Sequence, residues 1–382
     1  MQRDAIVIGA GPGGLAAAQQ LRASGMEPLV IEKADRVGAV WRRHYDRLRL
    51  HTPRIHSALP GMPMPRAFGR YPSRDDVVAY LESYARKFEI APMFGTQAQA
   101  IRRAGNGWLL ETSAGDMRSP VVVVATGWAD FPHVPQWPGM QDYAGEILHS
   151  SAYVSGARFK GRRVLVVGFG NSGAEIALDL CEQGAAATIS QRSPVRILPR
   201  DLFGIPVLSF AIAQQLLPPR VADFINEPAL RLTIGSISSL GLRRSRKGAL
   251  QMIAEDERVP ALDVGTVAKI RAGAIAVRGG VERFTRDGVV FADQDAQRFD
   301  AIVLATGFRP DLRALLPDTP DVLDLDGRPK ISDAPTTAPG LYFIGAKLVA
   351  TGQLRQIAIG AKAIARAVRD LRANAAVSAP AP

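Results

Sequence analysis

Two glycine-rich turns carry the chemistry that is plainest in this sequence. The first reads Gly9-Ala-Gly11-Pro12-Gly13-Gly14, and the second, about 160 residues further on, reads Gly168-Phe-Gly170-Asn171-Ser172-Gly173. Each follows a short apolar strand and opens a helix, which is the order of a β-α-β dinucleotide fold. The first glycine permits a tight turn, the second lets the backbone approach a pyrophosphate, and the third allows close helix–strand packing. The helix N-terminus then favours the negative charge of the phosphates.

The two sites differ at the end of their second strands. The first ends in Glu32, whose carboxylate can accept hydrogen bonds from a ribose, whereas the second ends in Ser190-Gln191-Arg192-Ser193. Arg192 and its serine neighbours suit a 2′-phosphate and favour NADPH over NADH at the second site. The alternative is that Arg192 is only a surface charge. The first turn taken alone does not decide which dinucleotide it binds.

The elements around these turns predict an α/β fold with two Rossmann-like dinucleotide-binding domains, the second inserted in the first. Apolar strands that end in Ala-Thr-Gly, at 120–127 and again at 299–307, are interpreted as exits from and returns to the first domain. The predicted first domain therefore comprises 1–155 and 300–376, and the second comprises 156–299. A helical insertion at about 205–240 is predicted to roof the substrate entrance, with membrane-surface docking as the alternative. Residues 377–382 are predicted to form a disordered tail.

Composition excludes several classes of protein. The 382 residues are 47% apolar, and the net charge of +11 comes from arginines spread along the chain, so no nucleic-acid partner is expected. Cys181 is the only cysteine, which excludes an internal disulfide, a Cys-x-x-Cys redox pair and a cysteine-based metal cluster. The five histidines lack ligand spacing, so no metal is expected. Without a signal segment or an apolar run of about 20 residues, a cytoplasmic protein with no membrane span is expected.

The residues between the two turns resemble a known family. Tyr143-Ala-Gly145-Glu-Ile-Leu-His149-Ser-Ser-Ala-Tyr153 is similar to the F-x-G-x-x-x-H-x-x-x-(F/W/Y) motif of class B flavin monooxygenases, with Tyr in place of the first Phe. The final Tyr153 is typical of the flavin-containing and YUCCA types. Further stretches resemble the YUCCA type, and they lie at 45–51, 195–200, 241–244, 262–266 and 283–288.

The resemblance implies which residues hold which cofactor. It makes the first site an FAD site and the second an NADPH site. The residues that it assigns to FAD, here called the FAD set, are Gly9, Gly11, Pro12, Gly13, Gly14, Glu32, Lys33, Val40, Trp41, His51, Thr52, Gln97, Ala125, Thr126, Gly127, Gln353 and Leu354. The NADPH set is Gly168, Gly170, Asn171, Ser172, Gly173 and Arg192. Gln353 and Leu354 would face the isoalloxazine from the start of the last helix. His149 and Tyr153 are interpreted as structural links between the domains, and the alternative is that they are proton donors.

His51 is the one side chain considered as a catalyst. Animal-type members of the family have Asn at its place, where the amide helps to stabilise the oxygenated flavin. Either the imidazole takes over that hydrogen bond, or it only packs against the cofactor.

The resemblance implies a monooxygenase in which NADPH reduces FAD and dioxygen then adds at the flavin C4a carbon. The favoured reaction is YUCCA-like oxidative decarboxylation of an α-keto acid such as indole-3-pyruvate. The alternatives are oxygenation of a soft nitrogen, sulfur or ketone substrate, and an NADPH oxidase or flavin reductase without oxygen transfer. The expected partners are a small-molecule substrate and O₂, and a homodimer stays an open alternative.

Overall fold

The computed structural model describes residues 2–378, and the chain divides into two compact units. Unit 1 comprises Met1–Arg42, Thr52–Phe131 and Arg309–Pro382, and unit 2 comprises Arg43–His51 and Pro132–Phe308. Strands and helices are numbered along the whole chain.

Unit 1 is built on a four-stranded parallel sheet with the order β2-β1-β6-β19. Its strands are β1 (Ala5–Ile8), β2 (Pro28–Ile31), β6 (Val122–Val124) and β19 (Leu341–Phe343). Every residue of β1, β6 and β19 is buried, as continuous apolar runs in parallel sheets require. The helices of the unit are α1 (Pro12–Ala23), α2 (Ala39–Arg42), α3 (Arg74–Lys87) and α9 (Gln353–Ser378), with α9 packed against α1. An antiparallel sheet precedes β6 and contains β3 (Ala98–Ala104), β4 (Gly107–Thr112) and β5 (Met117–Ser119).

Helix α3 begins with a capping box. The Ser73 hydroxyl accepts a hydrogen bond from the Asp76 N–H at 3.2 Å, and the Asp76 carboxylate accepts one from the Ser73 N–H at 2.8 Å. Val77, Tyr80, Leu81 and Tyr84 then bury one face of the helix.

Unit 2 repeats this plan. Its five-stranded parallel sheet has the order β14-β9-β8-β18-β7. The strands are β7 (Glu146–His149), β8 (Arg163–Val167), β9 (Ala186–Ser190), β14 (Ile275–Arg278) and β18 (Ala301–Leu304). Helix α4 (Asn171–Glu182) joins β8 to β9, and an antiparallel sheet of β15 (Val281–Thr285), β16 (Gly288–Phe291) and β17 (Ala296–Arg298) precedes β18. Strand, helix, strand, antiparallel sheet and central strand therefore occur in the same order in both units.

The predicted insertion at 205–240 is helical and contains α5 (Val207–Ala213) and α6 (Pro219–Ile234). Pro228 lies inside α6 and does not end it. The remaining elements around it are β10 (Ile197–Pro199), β11 (Asp201–Leu202), β12 (Ile205–Pro206), α7 (Ala249–Asp256), β13 (Ala261–Asp263) and α8 (Thr266–Arg271). No helix in the described range is long and apolar enough to cross a bilayer.

The chain passes from one unit to the other at positions that differ from those predicted from the sequence. Residues 43–51, 132–155 and 300–308 were expected in the first domain, but they belong to unit 2. For the last two segments the reason is that β7 and β18 pair in parallel with each other, and β18 also pairs with β8. The Ala-Thr-Gly at 305–307 therefore ends a strand of unit 2. Of the predicted tail, residues 377–378 belong to α9 and 379–382 lie outside the described residues.

Candidate functional site: two nucleotide turns and a buried carboxylate network

The first glycine of each turn is held against the Ala-Thr-Gly segment of the neighbouring strand. Gly9 has a φ of +110°, and a Cβ there would lie 2.6 Å from the carbonyl oxygen of Ala125. Gly168 has a φ of +113°, and a Cβ would lie 2.5 Å from the carbonyl oxygen of Ala305. Both conformations and both contacts exclude a side chain.

The third glycine of each turn packs against the first. A Cβ on Gly14 would come within 1.8 Å of the Gly9 oxygen, and one on Gly173 within 2.0 Å of the Gly168 oxygen. In contrast, Gly11 and Gly170 have nothing within 4 Å of a Cβ position. Neither helix start is capped by a side chain of the described residues. The open middle glycines and uncapped helix N-termini fit a pyrophosphate.

Both turns lie where the order of their sheet reverses. From β1 the chain crosses to β2 on one side, while β6 pairs on the other side; β8, β9 and β18 repeat this arrangement. Such a switch point opens a crevice beyond the carboxyl ends of the strands, where open α/β sheets bind ligands.

Glu32 is fixed at the end of β2. Its two carboxylate oxygens accept hydrogen bonds from the N–H groups of Ala10, at 2.7 Å, and Ala34, at 2.9 Å. A carboxylate offers about four lone-pair sites, so it can still accept ribose hydroxyl hydrogens. The neighbouring Lys33 is 3.0 Å from Asp130.

At the matching place in unit 2, Arg192 is exposed at the end of β9. Buried Gln191 holds this loop, since its amide donates to the Ser193 oxygen at 3.0 Å and accepts from the Arg243 N–H at 2.8 Å. The Arg243 guanidinium contacts the carbonyl oxygen of Arg192. Sequence reasoning missed Arg243 as a second cation at this place, because it lies about 50 residues away along the chain.

Several other predicted site residues already form hydrogen bonds within the protein, which limits the donors and acceptors that they can offer a cofactor. The N–H of Gln97 donates to the Ser113 hydroxyl at 2.9 Å, so it is already engaged. The Asn171 amide accepts from the Leu262 N–H at 2.7 Å and donates to the Pro260 oxygen, and it thereby ties α4 to β13. Thr52 lies 2.6 Å from the Ser57 hydroxyl, and Gln353 donates to the Gly345 oxygen at 2.8 Å. Val40 and Trp41 lie on α2, and buried Leu354 lies in the first turn of α9.

The motif of Tyr143, Gly145, His149 and Tyr153 is engaged within unit 2. The Tyr143 hydroxyl donates to the Phe299 oxygen at 2.8 Å, and its ring occupies the space that a Cβ on Gly145 would need. Nε2 of His149 lies 3.0 Å from the Gly307 oxygen. Burial lowers the pKa of His149, partly offset by that hydrogen bond. These contacts are all made within unit 2, and the link between the domains stays a prediction.

Tyr153 completes the same arrangement. Its hydroxyl donates to buried Asp179 at 2.6 Å, and the Gly156 N–H donates to the same oxygen at 2.8 Å. Burial raises the pKa of Tyr153 far above its ordinary value, and the Asp179 carboxylate raises it further. The Tyr153 hydroxyl therefore donates to Asp179 as a neutral phenol at neutral pH.

His51 ends a second buried network on α4. Its Nε2 hydrogen-bonds to Glu175, whose side chain is only 3% exposed. The hydroxyl of buried Tyr45 bonds to Glu175 and to Ser172, and burial raises the Tyr45 pKa well above its usual value, an effect that the Glu175 charge increases. Sequence reasoning missed Glu175, because one carboxylate in an amphipathic helix gives no signal of being buried.

Known proteins resemble this chain over nearly its whole length. Residues 6–199 match the pyridine nucleotide-disulphide oxidoreductase family. Indole-3-pyruvate monooxygenase YUCCA1 of Oryza sativa subsp. japonica is 40% identical over 348 residues, covering 89% of this chain and 86% of that protein. Indole-3-pyruvate monooxygenase YUCCA6 of Arabidopsis thaliana is 36% identical, covering 89% and 84%. Among solved structures, a flavin-containing monooxygenase from Stenotrophomonas maltophilia has 25% identity and a TM-score of 0.75, covering 98% of this chain and 99% of its own.

The fold and its two nucleotide turns, together with these relatives, define a flavin-dependent monooxygenase with parallel-sheet Rossmann-like architecture. With only Cys181, the chain has no cysteine pair for the disulphide chemistry in the broader family's name. The chain belongs to the YUCCA indole-3-pyruvate monooxygenase family.

Proposed function

We propose that this protein is an FAD- and NADPH-dependent monooxygenase that converts an α-keto acid of the indole-3-pyruvate type into the carboxylic acid one carbon shorter. The balanced reaction consumes the keto acid, O₂, NADPH and a proton, and yields the shorter acid, CO₂, water and NADP⁺. One observation carries the proposal. This chain is 40% identical to an indole-3-pyruvate monooxygenase, and its two nucleotide turns have the same backbone conformation as each other, one followed by Glu32 and the other by Arg192.

The FAD set and the NADPH set then describe two Rossmann-like domains, the second inserted in the first. Apart from His51, every member of the FAD set lies in unit 1, and the whole NADPH set lies in unit 2. This separation supports the assignment of one cofactor to each unit. It also supports the contrast between the Glu32 carboxylate, which suits a ribose, and the Arg192 guanidinium, which suits a 2′-phosphate.

FAD, once reduced by NADPH, supplies the activation of dioxygen and the delivery of one oxygen atom to the substrate. The protein supplies binding and orientation. The backbone at Gly11 and Gly170 would cradle the pyrophosphates at the positive ends of α1 and α4. Glu32 would orient the FAD ribose, and the N-terminus of α9, at Gln353, would stabilise negative charge on the flavin ring. No protein nucleophile is required.

The proposal is tested by stoichiometry. The purified protein, loaded with FAD, is given NADPH and O₂ with indole-3-pyruvate, with a primary or tertiary amine, or with a thioether. We expect one carboxylate and one CO₂ for each NADPH oxidised with the keto acid, and little product with the others. Product from the amine or thioether alone would replace this function with heteroatom oxygenation. Peroxide equal to the NADPH consumed with all substrates would replace it with an NADPH oxidase.

A further inference from the structure

We propose that Glu175 is a positioning residue that fixes the His51 imidazole in one tautomer, with the hydrogen on Nε2 and the lone pair on Nδ1. This inference rests on the proposed function and deepens it, because it specifies which nitrogen of His51, the one side chain considered as a catalyst, is left to accept a hydrogen bond. Nothing in the family motif marks Glu175, and the inference stands on contacts within unit 2 alone.

Burial makes Glu175 dependent on its donors. A carboxylate that is 3% exposed loses its hydration and must be compensated by hydrogen-bond donors. Its donors are the His51 ring at Nε2 and the Tyr45 hydroxyl, which also bonds to Ser172 at the start of α4. A carboxylate can only accept, so the hydrogen of this bond lies on Nε2 of the imidazole. In the neutral ring, Nδ1 then carries the lone pair.

A neighbouring carboxylate shows what a purely structural network looks like in the same helix. Asp179 lies one turn further along α4, is 5% exposed, and accepts from the Tyr153 hydroxyl and the Gly156 N–H. Both of those donors are themselves buried. The Glu175 network ends differently, on an imidazole whose side chain is still 18% exposed. A carboxylate that binds one ring nitrogen of a histidine fixes both the tautomer and the orientation of the ring.

Docking of the 43–51 segment does not depend on Glu175. Arg47 makes a two-pronged ion pair with Glu182, at 3.1 Å from Nε and 2.9 Å from Nη2, and the Asp46 N–H donates to the Val154 oxygen at 2.9 Å. Glu182 belongs to the same helix and holds the same segment, but it does not touch His51. Glu182→Gln is therefore a matched control that loosens the segment and leaves the imidazole contact in place.

The direct test is the tautomer of His51, read by ¹⁵N NMR of the imidazole nitrogens in the full-length FAD-loaded protein. Five histidines make the spectrum tractable, and His51→Asn assigns its signals. We expect the Nε2–H form in the parent protein, a mixture of tautomers in Glu175→Gln, and an unchanged tautomer in Glu182→Gln. An unchanged tautomer in Glu175→Gln, or the same mixture in Glu182→Gln, would overturn the inference.

Turnover gives the second readout. For Glu175→Gln we expect kcat for carboxylate formation to fall by about 10- to 100-fold, as for other orienting partners, with the KM for NADPH nearly unchanged. FAD content and melting temperature serve as folding controls. If Glu175→Gln does not fold, Glu175→Asp keeps the charge but withdraws it by about 1.5 Å, one carbon–carbon bond, and the same tautomer mixture is expected. Because the NMR measurement needs no substrate, it stands even if the keto-acid reaction itself is not found.

Discussion

At the scale of single residues, each nucleotide turn separates the demands of folding from those of binding. Gly9 and Gly14 are glycines because neighbouring backbone fills the space of a side chain, whereas Gly11 faces open space. Gly168, Gly173 and Gly170 repeat this division in unit 2. The sequence motif marks all these positions alike, and only the structure distinguishes the glycines that the fold requires from those that a ligand requires.

Substitution of these glycines by alanine should therefore have opposite outcomes. Gly11→Ala has room for its methyl group and an extended backbone, with φ −83°, so the apoprotein should melt at an unchanged temperature. The methyl group would block the pyrophosphate, and we expect FAD affinity to fall by about 10-fold or more, since a clash or lost hydrogen bond there costs about 1.5–3 kcal/mol. Gly14→Ala drives a methyl group into the Gly9 carbonyl and should destabilise the protein by several kcal/mol. Equal effects of the two changes on melting temperature would contradict this assignment.

Arg192 should determine the choice of nicotinamide cofactor. Charge-assisted hydrogen bonds from a guanidinium are worth about 1.5–3 kcal/mol, so Arg192→Ala should lower kcat/KM for NADPH by about 10- to 100-fold and leave NADH little affected. Steady-state kinetics with both cofactors measure the ratio. Arg298→Ala, another exposed arginine of unit 2, is the control and should leave the ratio unchanged, since Arg298 pairs with Asp287. A uniform loss with both cofactors in Arg192→Ala would mean that this arginine does not contact the 2′-phosphate.

At the scale of elements, charges fasten the helical insertion to the rest of unit 2. Glu227 on α6 bonds to Arg196, which is 5% exposed, to Arg231 at 2.6 Å, and to Arg244. Burial alone would raise the Glu227 pKa, but hydrogen bonds from Arg196 and Arg231 and the arginine charges lower it from 4.5 to about 2. Arg231 lies on α6 itself, whereas Arg196 and Arg244 lie outside it, so Glu227 links α6 to the segment before β10 and to the loop that follows α6.

This cluster predicts a pH dependence. Because the pKa of Glu227 is depressed on folding, its stabilisation is present above pH 4.5 and is lost as the pH falls towards about 2. Glu227→Gln removes the charged partner of buried Arg196 and should lower the free energy of unfolding at pH 7 by about 3–5 kcal/mol. The variant should also lose less further stability between pH 4.5 and 2 than the parent, as followed by denaturant unfolding. Glu255→Gln, which removes an exposed carboxylate from α7, should change little.

The helical insertion at 205–240 exposes several large apolar side chains. Leu216, Phe224 and Leu232 are 92%, 81% and 78% exposed, and they lie on or just before α6. Burying each of these side chains would gain about 1.5–3 kcal/mol, but none of the described residues covers them. Their polar replacement is expected to leave the fold intact.

At the scale of the whole molecule, the sequence predicted that one order of strands and helices occurs twice, but it did not predict where each unit begins and ends. Runs such as Val122–Val124 and the Ser73–Asp76 cap are local signals, and they predicted strands and a helix that are present. The partner of β18 is set by pairing across more than a hundred residues, so the pattern at 299–307 could not show which sheet it joins. Arg243 and Glu175 were missed for the same reason, since their significance lies in contacts distant along the chain.

The assignment of one cofactor to each unit predicts separate footprints in hydrogen exchange. FAD should slow exchange of backbone amides at 11–15, and NADP⁺ should slow exchange at 170–174, because a bound pyrophosphate shields the N–H groups of a helix start. Mass-spectrometric peptide maps of the apoprotein with each ligand alone provide the comparison. Protection at 170–174 by FAD, or at 11–15 by NADP⁺, would reverse the assignment.

Strand β19 and helix α9 of unit 1 are synthesised last, and this order affects how the chain folds during synthesis. Strand β6 ends at residue 124, but its partner β19 begins at residue 341. Helix α1 ends at residue 23, and α9, which packs against it, begins at residue 353. At about 5–20 residues per second, a ribosome needs on the order of 10–40 s to deliver them. During that interval the β6 edge of the unit 1 sheet stays open, and every strand of unit 2 is synthesised before β19 covers that edge. The nascent chain is therefore most exposed to misassociation at strand β6, whose open edge can pair with other extended segments.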